Sequence, residues 1–124
     1  MTFGKRLFVI DDEEEFSEFV RVVAAELGYA VTVTSHATGF QTAYREHTPD
    51  VIITDIVMPG MDGVELIKWL IGQGCKATVL IVSGFTPLYS EMARVIAENG
   101  KMLSTRVLQK PVGLADLRAF LNEA

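Results

Sequence analysis

Three predominantly apolar runs stand out along the chain. They are Leu7–Ile10, Val51–Ile53 and Ala77–Val82, and none alternates between apolar and polar positions. Runs of this length without alternation are typical of strands covered on both faces in a parallel sheet. The pattern therefore predicts three buried strands in one sheet.

The intervals between these runs carry amphipathic patterns. Tyr29–Thr34 alternates and is rich in Val and Thr, which predicts a strand near a sheet edge, and Arg106–Gln109 predicts a short last strand. Apolar residues recur at helical spacing in five further segments: 14–27, 40–44, 64–71, 88–96 and 114–121. Strict alternation of strands and helices predicts one α/β domain over residues 1–124, with right-handed crossovers and helices on both faces of a parallel sheet.

Composition narrows the functional classes. Of the 124 residues 49% are hydrophobic, and sixteen acidic against eleven basic residues give a net charge of −5. No basic face is visible, which disfavours direct nucleic acid binding. The single Cys75 cannot form an internal disulfide, and no apolar stretch approaches the roughly 20 residues of a membrane helix. We expect a soluble cytoplasmic protein.

Candidate chemistry lies where the predicted strands end. Asp11 and Asp12 follow the first strand, Asp55 the third, Ser83 the fourth and Lys110 the fifth. The carboxyl ends of parallel strands share one edge of the sheet, where open α/β sheets bind ligands, so these side chains should converge. Three neighbouring carboxylates repel one another unless a cation shares the site, and their hard oxygens favour Mg²⁺.

The remaining two groups suit phosphoryl chemistry. Lys110 offers a mobile point charge and Ser83 a hydroxyl donor, both suited to the oxygens of a transferring phosphoryl group. Asp55 is left as the nucleophile of an aspartyl phosphate. Ordinary explanations remain open at this point: Asp11 and Asp12 could cap a helix, Ser83 could do the same, and Lys110 could be an exposed lysine.

Four motifs together point to a family. Ile10–Glu13, Thr54–Gly63, Ser83–Gly84 and Gln109–Pro111 stand in the order and at about the spacing of the receiver domain of two-component response regulators, which the whole chain resembles. The resemblance implies a flavodoxin-like fold, a doubly wound five-stranded parallel sheet of order 2-1-3-4-5. It implies a phosphoacceptor signalling domain, not an enzyme in the ordinary sense, although such domains assist their own phosphotransfer and dephosphorylation.

The resemblance also implies roles for individual residues. Asp55 would accept a phosphoryl group from the phosphohistidine of a sensor histidine kinase or a phosphotransfer protein, and the domain would then switch conformation to signal to a partner or output domain. Asp12, Asp55 and the Val57 carbonyl would bind Mg²⁺, with Asp11 reaching the metal mainly through water. Ser83 and Lys110 would contact the phosphoryl group.

Two departures from the family pattern concern the output. Val107 stands three residues before the lysine, where receivers usually carry Tyr or Phe, and the 99–105 connection is long and not obviously helical. We therefore expect a noncanonical output surface. Leu88, Met92, Val95 and Ile96 share one face of the fourth helix, and dimerisation through that helix and the last strand and helix is possible.

Other functions of this fold would need different residues at the same positions. An FMN carrier would need a hydroxyl-rich phosphate loop where this chain has Asp11–Glu14, and an aspartyl phosphatase would need a second acid at Val57. The serious alternative is a phosphorylation-independent adaptor that keeps the receiver fold for binding alone, suggested by the missing aromatic residue.

Overall fold

The computed structural model describes residues 4–56, 61–84, 87–101 and 104–124, with residues 87–90 described by their backbone only. Ten elements alternate along the chain. They are β1 (Arg6–Ile10), α1 (Glu14–Glu26), β2 (Ala30–Thr34), α2 (Ala37–Glu46), β3 (Val51–Asp55), α3 (Gly63–Gly72), β4 (Thr78–Ser83), α4 (Pro87–Asn99), β5 (Thr105–Gln109) and α5 (Leu114–Glu123). Each predicted strand and helix is present. The observed ends of the strands differ from the predicted ends by a few residues at most.

The strands form one parallel sheet in the order β2-β1-β3-β4-β5. This order confirms the expected flavodoxin-like fold. The register aligns Ile10 with Thr54, and Asp55 with Val82. The strands therefore finish near a common edge, and β2 lies at one side of the sheet, as its alternating sequence predicted.

Two apolar layers cover the sheet, which explains why the central strands do not alternate. One layer packs β1 residues Phe8 and Ile10 against α2, α3 and α4; the other packs Leu7 and Val9 against α1 and α5. Both faces of β1 and β3 are thus out of water. Among the described residues, no helix is both long and apolar enough to cross a membrane.

The fourth helix is docked differently from what its apolar pattern suggests. Among its described side chains, those of Ala93 and Ala97 are fully buried, whereas Met92 and Val95 are each 46% exposed and Ile96 is only partly buried. The side chain of Leu88 lies outside the described residues. The small residues face inward because α3 already fills the adjoining space with larger side chains, and Gly100 at the end of α4 lies directly against the Ile71 side chain.

Candidate functional site

The carboxyl ends of four strands bring the predicted residues together. Asp11 directly follows β1, Asp55 ends β3 and Ser83 ends β4, while Lys110 directly follows β5. A backbone hydrogen bond from the Lys110 N–H to the Ser83 carbonyl, 2.8 Å long, ties the last two strand ends to each other. The convergence expected from the sequence is therefore present in the structure.

The three aspartates form a compact acidic cluster. Carboxylate oxygens of Asp11, Asp12 and Asp55 lie within 4.8 Å of one another. Asp11 is 2% exposed and Asp55 is 5% exposed, whereas Asp12 faces solvent. Close, partly buried carboxylates of this kind are the hard oxygen ligands that Mg²⁺ takes, with Asp12 at the solvent side where waters can complete an octahedron.

One oxygen of the cluster supports a cation site independently. Among the buried side-chain atoms that the structure describes, Asp11 Oδ2 lacks an aligned hydrogen-bond donor. Lys110 Nζ lies 2.8 Å away, a distance that neutralises charge but does not meet the geometry of a hydrogen bond. The other oxygen, Asp11 Oδ1, accepts the backbone N–H of Glu13 at 2.8 Å. Asp11 thus shapes the turn into α1 but does not cap the helix, whose N-cap residue is Glu13.

Lys110 is the cation that balances this cluster in the structure. Its Nζ lies 2.8 Å from Asp11 Oδ2, 3.1 Å from Glu13 Oε1 and 3.3 Å from Asp55 Oδ2. It also stands over the Phe16 ring, 4.7 Å from the centroid, at a distance where cation–π attraction operates. With only 11% of its side chain exposed, Lys110 is not the ordinary surface lysine of the alternative explanation.

Burial and neighbouring charges shift the pKa values of Asp11 and Lys110 in opposite directions. Burial raises the pKa of Asp11, and contact with Lys110 only partly opposes this. For Lys110, burial alone would lower the pKa, but the carboxylates of Asp11, Glu13 and Asp55 outweigh burial and raise it. Lys110 therefore stays charged across the physiological pH range.

Two contacts of Lys110 were not anticipated from the sequence. Glu13 looked like one of several acids that favour a helix N-terminus, and Phe16 like an apolar residue of α1. The only available signal was the position of Glu13 immediately after the two aspartates. Its reach to Lys110, 97 residues away in sequence, depends on how the β1–α1 turn is folded.

Two predicted site residues remain, Ser83 and Val57, and the structure describes only Ser83. Ser83 is 1% exposed at the end of β4, on the same rim as Asp55. Val57, whose carbonyl the resemblance assigned to the metal, lies outside the described residues. The start of α3 is bonded back to the residue that follows β3, because the Gly63 N–H donates to the Ile56 carbonyl at 2.6 Å. Asp62 Oδ1 caps α3 by accepting the Glu65 N–H.

Comparison with solved structures supports the architecture. The chemotaxis response regulator CheY4 of Vibrio cholerae matches with a TM-score of 0.82 at 22% identity over 98% of each chain, a likeness that shows the fold alone. Full-length FixJ from B. japonicum matches with a TM-score of 0.80 at 25% identity, over 98% of this chain and 58% of that one.

Sequence comparison identifies the family. The transcriptional regulatory protein KdpE of Mycobacterium tuberculosis is 30% identical over 95% of this chain and 50% of its own length. FixJ of Bradyrhizobium diazoefficiens is 30% identical over 100% of this chain and 58% of its own. The chain thus spans about half the length of these two relatives. A family model described as the response regulator receiver domain matches residues 7–122. The chain therefore belongs to the receiver domain family of two-component response regulators.

Proposed function

We propose that this receiver domain is the phosphoacceptor of a two-component pathway and that Asp55 is its acceptor residue. The observation that carries the proposal is the setting of Asp55: a buried carboxylate at the end of the central strand, clustered with Asp11 and Asp12 and 3.3 Å from the Lys110 ammonium. Nucleophile, candidate metal ligands and a fixed positive charge all lie at one rim. This combination supports phosphoryl transfer better than simple binding.

The proposed donor is a phosphohistidine of a sensor histidine kinase or a phosphotransfer protein. An oxygen of Asp55 attacks phosphorus, a P–O bond forms as the P–N bond breaks, and the imidazole nitrogen keeps the electron pair and takes a proton. A Mg²⁺ ion held by Asp11, Asp12 and Asp55, with Val57 as a further proposed ligand, would offset the negative charge of the phosphoryl oxygens.

The chain's own residues have separate tasks in this reaction. Lys110 supplies a positive charge to a phosphoryl oxygen, and Ser83, which ends β4 on the same rim, donates a hydrogen bond from its hydroxyl to another. The backbones at Ser83 and Lys110 are hydrogen-bonded to each other. A displacement of either residue therefore also moves the β4–β5 side of the sheet. The proposed output is a conformational change there, read by a partner protein or an output domain.

Phosphorylation with a small-molecule donor tests the acceptor directly. Acetyl phosphate with Mg²⁺ should label the wild type and Asp116→Asn, a control at an exposed aspartate of α5, but not Asp55→Asn. Label in Asp55→Asn at the wild-type level would refute the assignment. Absence of label in the wild type, from acetyl phosphate and phosphohistidine donors alike, would favour the adaptor function instead.

The division of labour between metal and phosphate ligands can be measured separately. Asp12→Asn should weaken Mg²⁺ binding first, since it removes an oxygen of the acidic cluster. Lys110→Ala should leave Mg²⁺ binding largely intact and weaken the response to phosphorylation, because a lysine contacts the phosphate and not the cation. Equal loss of Mg²⁺ affinity in the two variants would contradict these roles.

A further inference from the structure

The Lys110 ammonium is surrounded by carboxylates of its own chain. Three carboxylate oxygens lie within 3.3 Å of Nζ: one each from Asp11, Glu13 and Asp55. Two of them, on Glu13 and Asp55, accept hydrogen bonds from the ammonium group. A phosphoryl oxygen that approaches Lys110 therefore competes with these carboxylates for the same positive charge.

The three partners differ in how easily they can be released. The side chain of Asp11 is 1% exposed and that of Asp55 is 7% exposed, whereas the Glu13 side chain is 61% exposed. A buried carboxylate that loses its cation stays in a poorly solvated position, which is unfavourable. Glu13 can exchange Lys110 for water at little cost, as exposed ion pairs usually do.

We propose that Glu13 is a competing anion for Lys110. It holds the ammonium toward the start of α1, above the Phe16 ring, until a phosphoryl group on Asp55 displaces it. Glu13 thereby lowers the affinity of the site for the phosphoryl group and sets how readily the domain responds. It is a positioning residue that acts through Lys110, and the inference rests on the proposed role of Asp55.

Beryllofluoride, a phosphoryl mimic, gives a binding test that needs no kinase. Its affinity for the full chain can be measured by fluorine NMR at saturating Mg²⁺. Glu13→Gln should bind it about two- to fivefold more tightly than the wild type, the range expected when one exposed ion pair no longer competes. Glu15→Gln is the matched control, because it removes the same charge from the same turn at a residue that is not among the described partners of Lys110. Its affinity should stay close to that of the wild type.

A double-mutant cycle separates competition for Lys110 from general electrostatics. In the Lys110→Ala background, Glu13→Gln should have no more effect than Glu15→Gln. Two further readouts distinguish a positioning role from a structural one. Glu13→Gln should shift the side-chain ammonium signal of Lys110 in the NMR spectrum, and it should not tighten Mg²⁺ binding when fluoride is absent.

The possible failures are distinguishable. If the wild type binds beryllofluoride but Glu13→Gln and Glu15→Gln behave alike, or if the gain persists in Lys110→Ala, the role of Glu13 is refuted and that of Asp55 stands. If the wild type does not bind beryllofluoride with Mg²⁺, the proposed function is refuted together with this inference.

Discussion

Helices α3 and α4 are neighbours on the same face of the sheet, yet they are held by different kinds of side chain. Helix α3 inserts Leu66, Ile67 and Leu70 into the core, and all three are fully buried. Among the side chains described for α4, only Ala93 and Ala97 are buried to that degree, and the larger apolar residues of the helix stay partly or largely exposed. Each buried leucine contributes roughly 1.5–3 kcal/mol of apolar transfer free energy, and an alanine methyl much less.

This difference separates a supporting element from one that can move. Helix α3 begins at the loop that follows Asp55, and its rigid packing keeps the end of β3 in place. Helix α4 follows Ser83 on β4, the strand bonded to β5 beside Lys110, so it adjoins the part of the rim that a phosphoryl group would pull on. We therefore expect the response to phosphorylation to appear in α4 and β5 and to leave α3 unchanged.

The largest expected contrast is in core truncation. Leu70→Ala should lower the free energy of unfolding by about 2–5 kcal/mol, because it leaves a cavity in the packed layer under α3. Val95→Ala on the exposed side of α4 should change it by no more than about 0.5 kcal/mol. Denaturant unfolding of the two variants provides the measurement. Similar losses would show that α4 is anchored as firmly as α3.

How much of this could be foreseen differs between the two helices. The unbroken runs of β1, β3 and β4 and the amphipathic segments between them were enough to predict the order of elements, because burial on both faces of a strand leaves a clear signal. For α4, periodicity identified an apolar face, but which side meets the sheet is decided by the space that α3 leaves. The described side chains that fill that space are alanines, which carry little weight in a hydrophobic pattern.

The functional site, too, could be predicted from the sequence only in part. Convergence of Asp11, Asp55 and Lys110 follows from parallel strands that end at one edge, so sequence reasoning could predict it. The contact between Glu13 and Lys110 depends on the path of the turn between β1 and α1, which no pattern of residue types encodes. Contacts made by loops are set by tertiary packing, and they are the ones that the sequence did not reveal.

Glycine substitutions at the two ends of α3 provide a second, smaller contrast. A Cβ on Gly63 would lie 2.8 Å from Ile56 Cα and 3.0 Å from its carbonyl oxygen, so Gly63→Ala forces the backbone apart and should cost about 1–3 kcal/mol. Gly72 has no heavy atom within 4 Å of such a Cβ, and Gly72→Ala should be neutral or stabilise by up to about 1 kcal/mol. Thermal unfolding distinguishes them. A tolerated Gly63→Ala would mean that the loop after β3 is not rigidly closed.

Amide hydrogen exchange tests mobility without any substitution. We expect amides of α4 to exchange about tenfold faster than those of α3, which corresponds to an opening free energy lower by about 1.4 kcal/mol. Beryllofluoride with Mg²⁺ should alter exchange within 87–101 and β5, where Val107 packs against the layer that α4 shares. Trp69 fluorescence should change little, because the ring packs against Phe40 and Tyr44 of α2. Unchanged exchange in these segments would count against a switch on this side.

The smallest effect concerns Tyr44, which closes the α2–α3 side of the core. Its ring packs 5.2 Å from the Trp69 ring, and burial, reinforced by the nearby Cys75 thiol, raises the pKa of Tyr44 to about 12. At neutral pH, Tyr44→Phe should cost no more than about 1 kcal/mol, because it keeps the packed ring and removes only the hydroxyl group. The sign of the pH dependence follows from the raised pKa: in the unfolded chain the phenol loses its proton near pH 10, while the folded protein retains it.

The contribution of the Tyr44 hydroxyl to stability is therefore complete below about pH 10 and is lost as the pH rises through about 12. The stability difference between wild type and Tyr44→Phe should shrink over this interval and then reverse, since phenylalanine has no proton to lose. Urea unfolding of both proteins at several pH values gives the measurement, and a difference that stays constant from pH 7 to 12 would show that Tyr44 is not held in the tightly packed layer. Because Tyr44 packs against Trp69 of α3, we expect exchange in α4 to be the same in both proteins and the effect to stay in the better packed of the two regions.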